Sequence, residues 1–124
     1  MAEVTVIGED LSGLGWTLKS LIDANLSNPD LRERLRKLQG TLVVKETSAD
    51  VSVTLFFDKG DLRIKEGDGS RPSAHLEAGF EELAEVASGR VGPIRALLTR
   101  RIKAGGNLLK LLRMAEVIIS KKAD

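Results

Sequence analysis

The sequence predicts a single α+β domain, in which helices cover one face of a five-stranded and mainly antiparallel sheet. Apolar residues recur at helical spacing in the first third of the chain, at every second position in its middle, and at helical spacing again towards its end. At 124 residues, the chain is long enough to bury a core without disulfides. We treat residues 1–124 as one domain and expect residues 1–9 and 120–124 to be loose termini.

Two helices are predicted in the first third of the chain. The first covers roughly residues 10–25, where leucines and one isoleucine recur at helical spacing. The second lies in SNPDLRERLRKLQG, where Ser27 or Asn28 caps the helix and Pro29 suits its first position. Gly40 is expected to end this second helix.

From residue 41 the apolar period changes to two, which indicates strands with one buried face. TLVVKET, DVSVTLFFD and GDLRIKEG are separated by short polar turns and predict an antiparallel three-strand meander. AHLEA predicts a fourth strand, and the segment from Thr99 to Lys103 predicts a fifth. The inward-facing strand residues are predicted to be Leu42, Val44, Val51, Val53, Leu55, Phe57, Leu62, Ile64, Ala74, Leu76 and Ala78.

Two more helices are predicted around the fifth strand. FEELAEVAS forms a short helix that Gly89 ends, and after the fifth strand Gly105 and Gly106 turn the chain. Asn107 then caps a last helix that extends to Ser120. A helical wheel assigns to its core face the residues Leu108, Leu111, Leu112, Ala115, Ile118 and Ile119.

The last helix is more apolar than one core-facing stripe requires, because Leu109, Met114 and Val117 lie outside that stripe. Two interpretations stay open. The helix is buried on most of its sides in a crowded groove, or its extra apolar width forms the wall of a cavity or contacts lipid.

Basic charge is concentrated in the C-terminal part of the chain. Residues 90–124 carry 9 basic and 2 acidic side chains, a balance of +7, against −1 for residues 1–39 and −5 for residues 40–89. Such a segment suits an anionic lipid surface, unless it is only a solvated helix face. Nucleic acid is not expected, since no aromatic residue is interleaved with these cations. The predicted surface or headgroup contacts are Arg95, Arg100, Arg101, Lys103, Lys110 and Arg113.

No enzyme chemistry, metal site or cofactor is predicted. The chain has no cysteine for a thiolate zinc site or a thiol nucleophile, and strand alternation turns His75, its single histidine, away from the apolar face. Glu81, Glu82 and Glu85 indicate the solvated face of a short helix. Because we find neither a membrane-spanning run nor a signal peptide, we expect a cytoplasmic protein.

The segment SGRVGPIRALLTRRIKAGGNLLKLLRM resembles the closing signature of the sterol carrier protein type 2 family. In that signature a helix ends in glycine, proline follows four residues later, and a basic-apolar strand leads to a glycine and a capping residue of the final helix. The matching positions, which align without a gap, are Gly89, Pro93, Arg101, Ile102, Lys103, Gly106 and Asn107. Ser73 and Arg100 depart from the aspartate and the glycine that many relatives have there.

The resemblance covers about residues 10–119 and implies an apolar tunnel between sheet and helices that takes sterols, fatty acids, fatty acyl-CoA or other lipids. It supplies no catalytic residues. We therefore expect non-catalytic binding and transfer of a lipid ligand. The predicted cavity lining is Leu18, Leu21, Ile22, Val53, Leu55, Leu83, Leu108, Leu112 and Ala115.

The sequence leaves a second function open. Domains of this type also occur inside larger enzymes, so the chain is alternatively an accessory or assembly subunit of a lipid- or acyl-metabolising enzyme, with its groove filled by a partner segment. Whether the chain forms a homodimer or binds an enzyme partner is left open, as is the identity of the lipid.

Overall fold

The computed structural model describes residues 5–7, 13–67, 71–87 and 90–118, which form one mixed sheet with helices packed on it. The sheet has six strands in the order β1-β4-β3-β2-β5-β6. The β1–β4 and β2–β5 pairs are parallel, and the other three pairs are antiparallel. The elements are β1 (Thr5–Ile7), α1 (Gly13–Asn25), α2 (Pro29–Leu35), β2 (Gln39–Glu46), β3 (Val51–Asp58), β4 (Asp61–Glu66), β5 (Ala74–Ala78), α3 (Phe80–Ala87), α4 (Pro93–Leu98), β6 (Lys103–Gly106) and α5 (Leu108–Ile118).

The predicted fold class is confirmed, but the sheet gains a strand at its N-terminal edge. Residues 5–7, expected to belong to a loose terminus, form β1 and pair in parallel with β4 from Arg63 to Lys65. Three residues are too few for a periodic pattern, which is why sequence reasoning missed this strand. Residues 120–124, also expected to be loose, lie outside the described residues.

The fifth predicted strand lies further along the chain than expected. Residues Thr99 to Ile102 complete the turn after α4, a helix that was not predicted, and Arg101 N–H donates to Ala96 O at 2.9 Å. The strand itself, β6, begins at Lys103 and includes the two glycines that were expected to form a turn. A Cβ on Gly106, which has a φ of +81°, would lie 2.5 Å from Ser73 O, so only glycine lets β6 approach β5 this closely.

The predicted cap of the second helix is confirmed, whereas its predicted end is wrong. Asn28 Oδ1 accepts the N–H of Asp30 at 2.9 Å, and Pro29 takes the first helical position. The helix ends at Leu35, and Gly40 is already the second residue of β2, paired with Phe57 of β3.

The core consists of two clusters of buried apolar side chains. The main cluster lies between the helices and the sheet, and strand residues predicted to face inward belong to it, among them Val53, Leu55 and Ile64. A smaller cluster lies beneath α3 and α4 and consists of Ala78, Val86, Ala96 and Ile102. Leu83 packs against both clusters, so the two meet at α3. Along the described part of the chain, no helix has the length and hydropathy needed to cross a membrane.

The buried face of α5 differs from the predicted one. Met114 and Val117, which the wheel left outside the core face, are 0% exposed, whereas Leu108 is 49% exposed and lies at the surface. The reason is that α5 packs against α1 and α2 as well as against the sheet. The Asn25 amide of α1 also donates to the carbonyls of Val117 and Ile118, each at 2.9 Å. Of the three apolar residues outside the predicted face, Met114 and Val117 are therefore buried, whereas Leu109 is exposed. Ile119 lies outside the described residues.

A glycine lets α5 approach the start of β2 closely. Gly40 has a φ of +142°, and a Cβ there would lie 2.7 Å from Ser73 Oγ and 3.1 Å from both Lys110 Cδ and Met114 Cε. Ser73 itself accepts the Thr41 N–H on its Oγ at 3.2 Å. Contacts from β2, β5 and α5 thus converge at Gly40.

We predict that Gly40→Ala lowers the free energy of unfolding by about 1–3 kcal/mol, because the methyl group both overpacks the contact and strains the backbone. Gly13→Ala is the matched control: a Cβ at this exposed helical residue meets nothing within 4 Å. The control should be neutral or stabilising by up to about 1 kcal/mol. Urea unfolding followed by circular dichroism measures both effects, and equal stabilities for the two variants would contradict the close approach.

Glu46, the last residue of β2, is buried and organises the turn that follows. Its Oε1 accepts the Ser48 hydroxyl, and its Oε2 accepts the Ala49 N–H at 2.7 Å. The Ser48 hydroxyl bond, with backbone N–H groups of Ala49, Ser48 and Phe80, outweighs the opposing effect of burial and holds the pKa of Glu46 below its usual range. Because Phe80 begins α3, this carboxylate links the β2–β3 turn to that helix.

We predict that Glu46 makes stability depend on pH. A lowered pKa in the folded state means that the ionised group stabilises the fold above its unfolded pKa of about 4.3, and that this contribution is lost as the pH falls through the folded pKa. The wild type should therefore be more stable than Glu46→Gln at pH 7, and the difference should shrink below about pH 4. Urea unfolding of both proteins at pH 7 and pH 3 measures it; a difference that grows on acidification would refute the assignment.

Candidate functional site

A small apolar cavity lies between the helices and the sheet, where α1, α3 and α5 face β2 and β5. Its volume is about 60 Å³, and its walls are entirely aliphatic. The lining residues are Leu14, Leu18, Leu42, Val44, Leu76, Leu83, Val86, Ile102, Ala115 and Ile118.

The cavity lies at the junction of the two hydrophobic clusters. Leu18 and Ile118 belong to the main cluster, whereas Val86 and Ile102 belong to the smaller one under α3 and α4. Leu83 contacts both sides. One wall is therefore part of the large core, and the opposite wall belongs to a small cluster with few buried residues.

The floor of the cavity follows from strand pairing. β2 and β5 are parallel neighbours, with Val44 beside Leu76, and both residues project from the helix-covered face. On the helix side, Ala115 of α5 is buried and presents only a methyl group between larger aliphatic neighbours. A small side chain at this position leaves room that a leucine would occupy.

The lining restricts the chemistry of this site. It includes no titratable or hydroxyl side chain, so the cavity can bind apolar groups but supplies neither an acid, a base nor a nucleophile. Its volume of about 60 Å³ is well below the roughly 300–1,000 Å³ typical of small-molecule sites. A long acyl chain or a sterol therefore requires the walls to move apart.

The structure divides the nine predicted lining residues into three groups. Leu18, Leu83 and Ala115 line the cavity. Ile22, Val53 and Leu55 are fully buried in the main cluster and are not among the lining residues, and Leu21 packs partly buried against the same cluster. Leu108 is exposed at the start of α5, and Leu112 is partly buried on that helix but is not among the lining residues.

Sequence reasoning missed most of the lining. Strand alternation finds inward-facing residues but does not distinguish those that face a void from those that fill the core. The missed residues are Leu14, Leu42, Val44, Leu76, Val86, Ile102 and Ile118. Three of these, Leu42, Val44 and Leu76, had been predicted to face inward, and knowledge of the parallel β2–β5 pairing would have placed them at the cavity.

The six predicted surface cations fall into two separate groups. Lys110 and Arg113 lie on α5 beside Lys37 and line one groove together with it. The other four surround α4 and the start of β6, and carboxylates accompany two of them. Arg101 lies 3.4 Å from Glu85, and Lys103 pairs in register with Glu77. Arg95 and Arg100 are exposed.

His75 and the glutamates of α3 are not among the residues that line the cavity. His75 is exposed, and its ring lies so close to Gly105 that a Cβ there would be 2.4 Å from Nε2. Glu81 is exposed on α3, and Glu82 is partly buried one residue later. In the ranges that the structure describes, no three histidine or acidic side chains are grouped so that they could hold a metal ion.

Comparison with solved structures identifies this fold in proteins of different sizes. The stereoselective inverting sec-alkylsulfatase Pisa1 from Pseudomonas sp. matches with a TM-score of 0.72 at 14% identity, over 90% of this chain but 17% of its own. A UbiJ-SCP2 ubiquinone synthesis protein matches with a TM-score of 0.66 at 14% identity, over 86% of this chain and 90% of its own. Sterol Carrier Protein 2 from Yarrowia lipolytica, in its apo form, matches with a TM-score of 0.65 at 20% identity, over 89% of this chain and 95% of its own.

At these identities the likeness establishes a common fold. No curated protein matches the chain significantly in sequence. A family model does match: the SCP-2 sterol transfer family covers residues 18–118, which extend from the middle of α1 to the end of α5 and include nine of the ten cavity-lining residues. The chain therefore belongs to the SCP-2 sterol transfer family.

Proposed function

We propose that this protein binds a lipid in the cavity between sheet and helices and transfers or presents it, without catalysis of its own. The observation that carries the proposal is a cavity with purely aliphatic walls in a member of the SCP-2 sterol transfer family. The ligand classes that suit such walls are fatty acids, fatty acyl-CoA and sterol-like lipids.

The energetics of lipid extraction favour walls of this kind. Moving an acyl chain out of a bilayer forfeits about 0.8 kcal/mol for each CH₂ group unless its new surroundings are equally apolar. Leucine, valine and isoleucine side chains meet that requirement. The same walls discriminate weakly, because one methylene changes affinity by only about 1–3 kcal/mol.

The ligand enters, on this proposal, by separating the two hydrophobic clusters. A void of about 60 Å³ has to grow several-fold to hold an acyl chain. The wall formed by Leu83, Val86 and Ile102 is the one that moves, because it is backed by the smaller cluster. The main cluster, with its many buried side chains, stays packed.

A second candidate is an accessory subunit of a lipid- or acyl-metabolising enzyme, with the cavity occupied by a partner segment. This candidate is favoured by the match to the alkylsulfatase. The matching region makes up only 17% of that chain, so this fold occurs there as one part of a larger enzyme. Mass spectrometry of an organic extract of the purified protein separates the two candidates. A copurifying lipid supports the carrier, and its absence together with a stable enzyme partner supports the accessory subunit.

We predict that fatty acids of different chain length compete for one site, with affinities within about two decades of one another. Trp16 is the single tryptophan and lies on α1, whose Leu14 and Leu18 line the cavity. A fatty acid that carries an acceptor fluorophore should therefore quench Trp16 emission on binding, and unlabelled fatty acids should reverse the quenching. A complete lack of quenching and of titration heat would reject lipid binding.

We also predict that Ala115→Leu weakens binding of the labelled fatty acid by at least about tenfold, because the added carbon atoms occupy the void. Ala84→Leu makes the same change at an exposed position of α3 and should bind like the wild type. Circular dichroism checks that both variants are folded. Equal affinities for the two folded variants would place the ligand elsewhere.

A further inference from the structure

The end of α2 and the start of α5 form a groove of about 180 Å³ on the protein surface. We call it the α2–α5 groove, and its lining residues are Lys37, Leu38, Gln39, Asn107, Leu109, Lys110 and Arg113. An adjoining depression of about 290 Å³ shares three of these residues and adds Arg34 and Glu116. The groove is thus a basic surface with leucine in its lining.

The charge of the α2–α5 groove is not neutralised locally. Arg34 forms an ion pair with Glu116, so the charges of these two residues cancel. Lys37, Lys110 and Arg113 make no ion pair with another described residue. Three positive charges therefore line one groove and are available to an anionic partner.

Two large apolar side chains are exposed at the start of α5, and one of them, Leu109, lines the groove. Leu109 is 62% exposed, and its neighbour Leu108 is about half exposed. They cannot turn inward, because the first turn of α5 is fixed. Asn107 donates its N–H to Ser73 O at 2.8 Å and accepts the Lys110 N–H on Oδ1 at 3.0 Å.

We propose that the α2–α5 groove docks on the surface of an anionic phospholipid bilayer, an inference that rests on the proposed function because a lipid carrier has to meet a membrane. The charge of the groove complements phosphate and serine headgroups, and Leu108 and Leu109 reach below them into the acyl region. An acidic protein would satisfy the cations but would leave this pair of leucines without an apolar partner. A bilayer supplies both anionic headgroups for the cations and an apolar interior for the leucines.

The surface around α4 is a weaker alternative, although Leu98 is exposed there beside Arg95 and Arg100. Among the side chains that the structure describes there, Leu98 is the exposed leucine. Carboxylates also lie on the neighbouring elements, and these repel anionic lipid. They are Glu77 on β5 and Glu81, Glu82 and Glu85 on α3.

Docking at the α2–α5 groove leaves the cavity wall free to move. α5 connects the two sites: its first turns carry Leu109 and Lys110, and its second half carries Ala115 and Ile118 of the cavity. The wall backed by the smaller cluster belongs to other elements, α3 and the segment before β6. A bilayer bound at the groove thus holds the rigid part of the molecule.

The test compares two double charge reversals of equal size in a vesicle co-sedimentation assay. The vesicles consist of phosphatidylcholine alone or of phosphatidylcholine with about 30% phosphatidylserine. Lys37→Glu with Arg113→Glu should weaken binding to the anionic vesicles at least about tenfold. Arg95→Glu with Arg100→Glu, the matched control around α4, should weaken it less than about threefold, the effect of a remote change in net charge.

A second pair of variants keeps the charge and changes only the apolar contact. Leu109→Ser should weaken binding to anionic vesicles by at least about fivefold, whereas Leu98→Ser on α4 should have little effect. These exposed positions tolerate serine, so the comparison stands even if a charge-reversed variant does not fold. Equal losses within either pair, or equal binding of the wild type to neutral and anionic vesicles, would overturn the proposal.

The fatty acid titration in solution distinguishes this proposal from the proposed function. Groove variants should bind the labelled fatty acid like the wild type, because neither Lys37, Leu109 nor Arg113 lines the cavity. A wild type that binds fatty acid but no vesicles refutes the docking surface alone. A wild type that binds anionic vesicles but no fatty acid refutes lipid carriage alone.

Discussion

The close approach of α5 to the β2–β5 pair determines the rest of this structure. Ser73 connects the three elements: its hydroxyl oxygen accepts the Thr41 N–H of β2, and its carbonyl accepts the Asn107 N–H at the start of α5. Two glycines make the approach possible, since side chains at Gly40 and Gly106 would collide with Ser73. Ser73 thus supplies the polar link between these elements.

Once the start of α5 is fixed, its direction decides where its apolar residues lie. Met114 is buried close to Gly40, Val117 is buried and its carbonyl is held by Asn25 of α1, and Ala115 is left beside the cavity. Leu108 and Leu109 remain outside because the helix begins before it reaches the core. One helix therefore closes the core, walls the cavity and presents an apolar pair to the surface.

Sequence patterns predicted the elements whose apolar residues recur with a strong period. They missed the features that depend on which elements lie side by side in the fold. The meander was readable because β4 alternates between exposed and buried residues, and β3 carries Val53, Leu55 and Phe57 at every second position, all of them buried. β6 was misplaced because two adjacent glycines are typical of a turn. Here they belong to a strand, in which Gly106 passes close to the carbonyl of Ser73, a residue far away in sequence. The cavity lining was mostly missed because Val44 becomes a neighbour of Leu76 only through a parallel pairing over 32 residues of sequence. The α2–α5 groove likewise joins Lys37 to Arg113, two cations that no local pattern connects.

The two outermost strands of the sheet are short, and this bears on self-association. β1 has three residues, and β6 has four, of which Lys103 is charged and Gly106 is in the left-handed region. Long, flat, apolar edges act as templates on which a second chain adds a strand and starts a fibre. Edges that are this short and irregular present few backbone N–H and C=O groups with which an added strand can pair. At the high local density that docking on a bilayer would create, these short edges oppose edge-to-edge polymerisation.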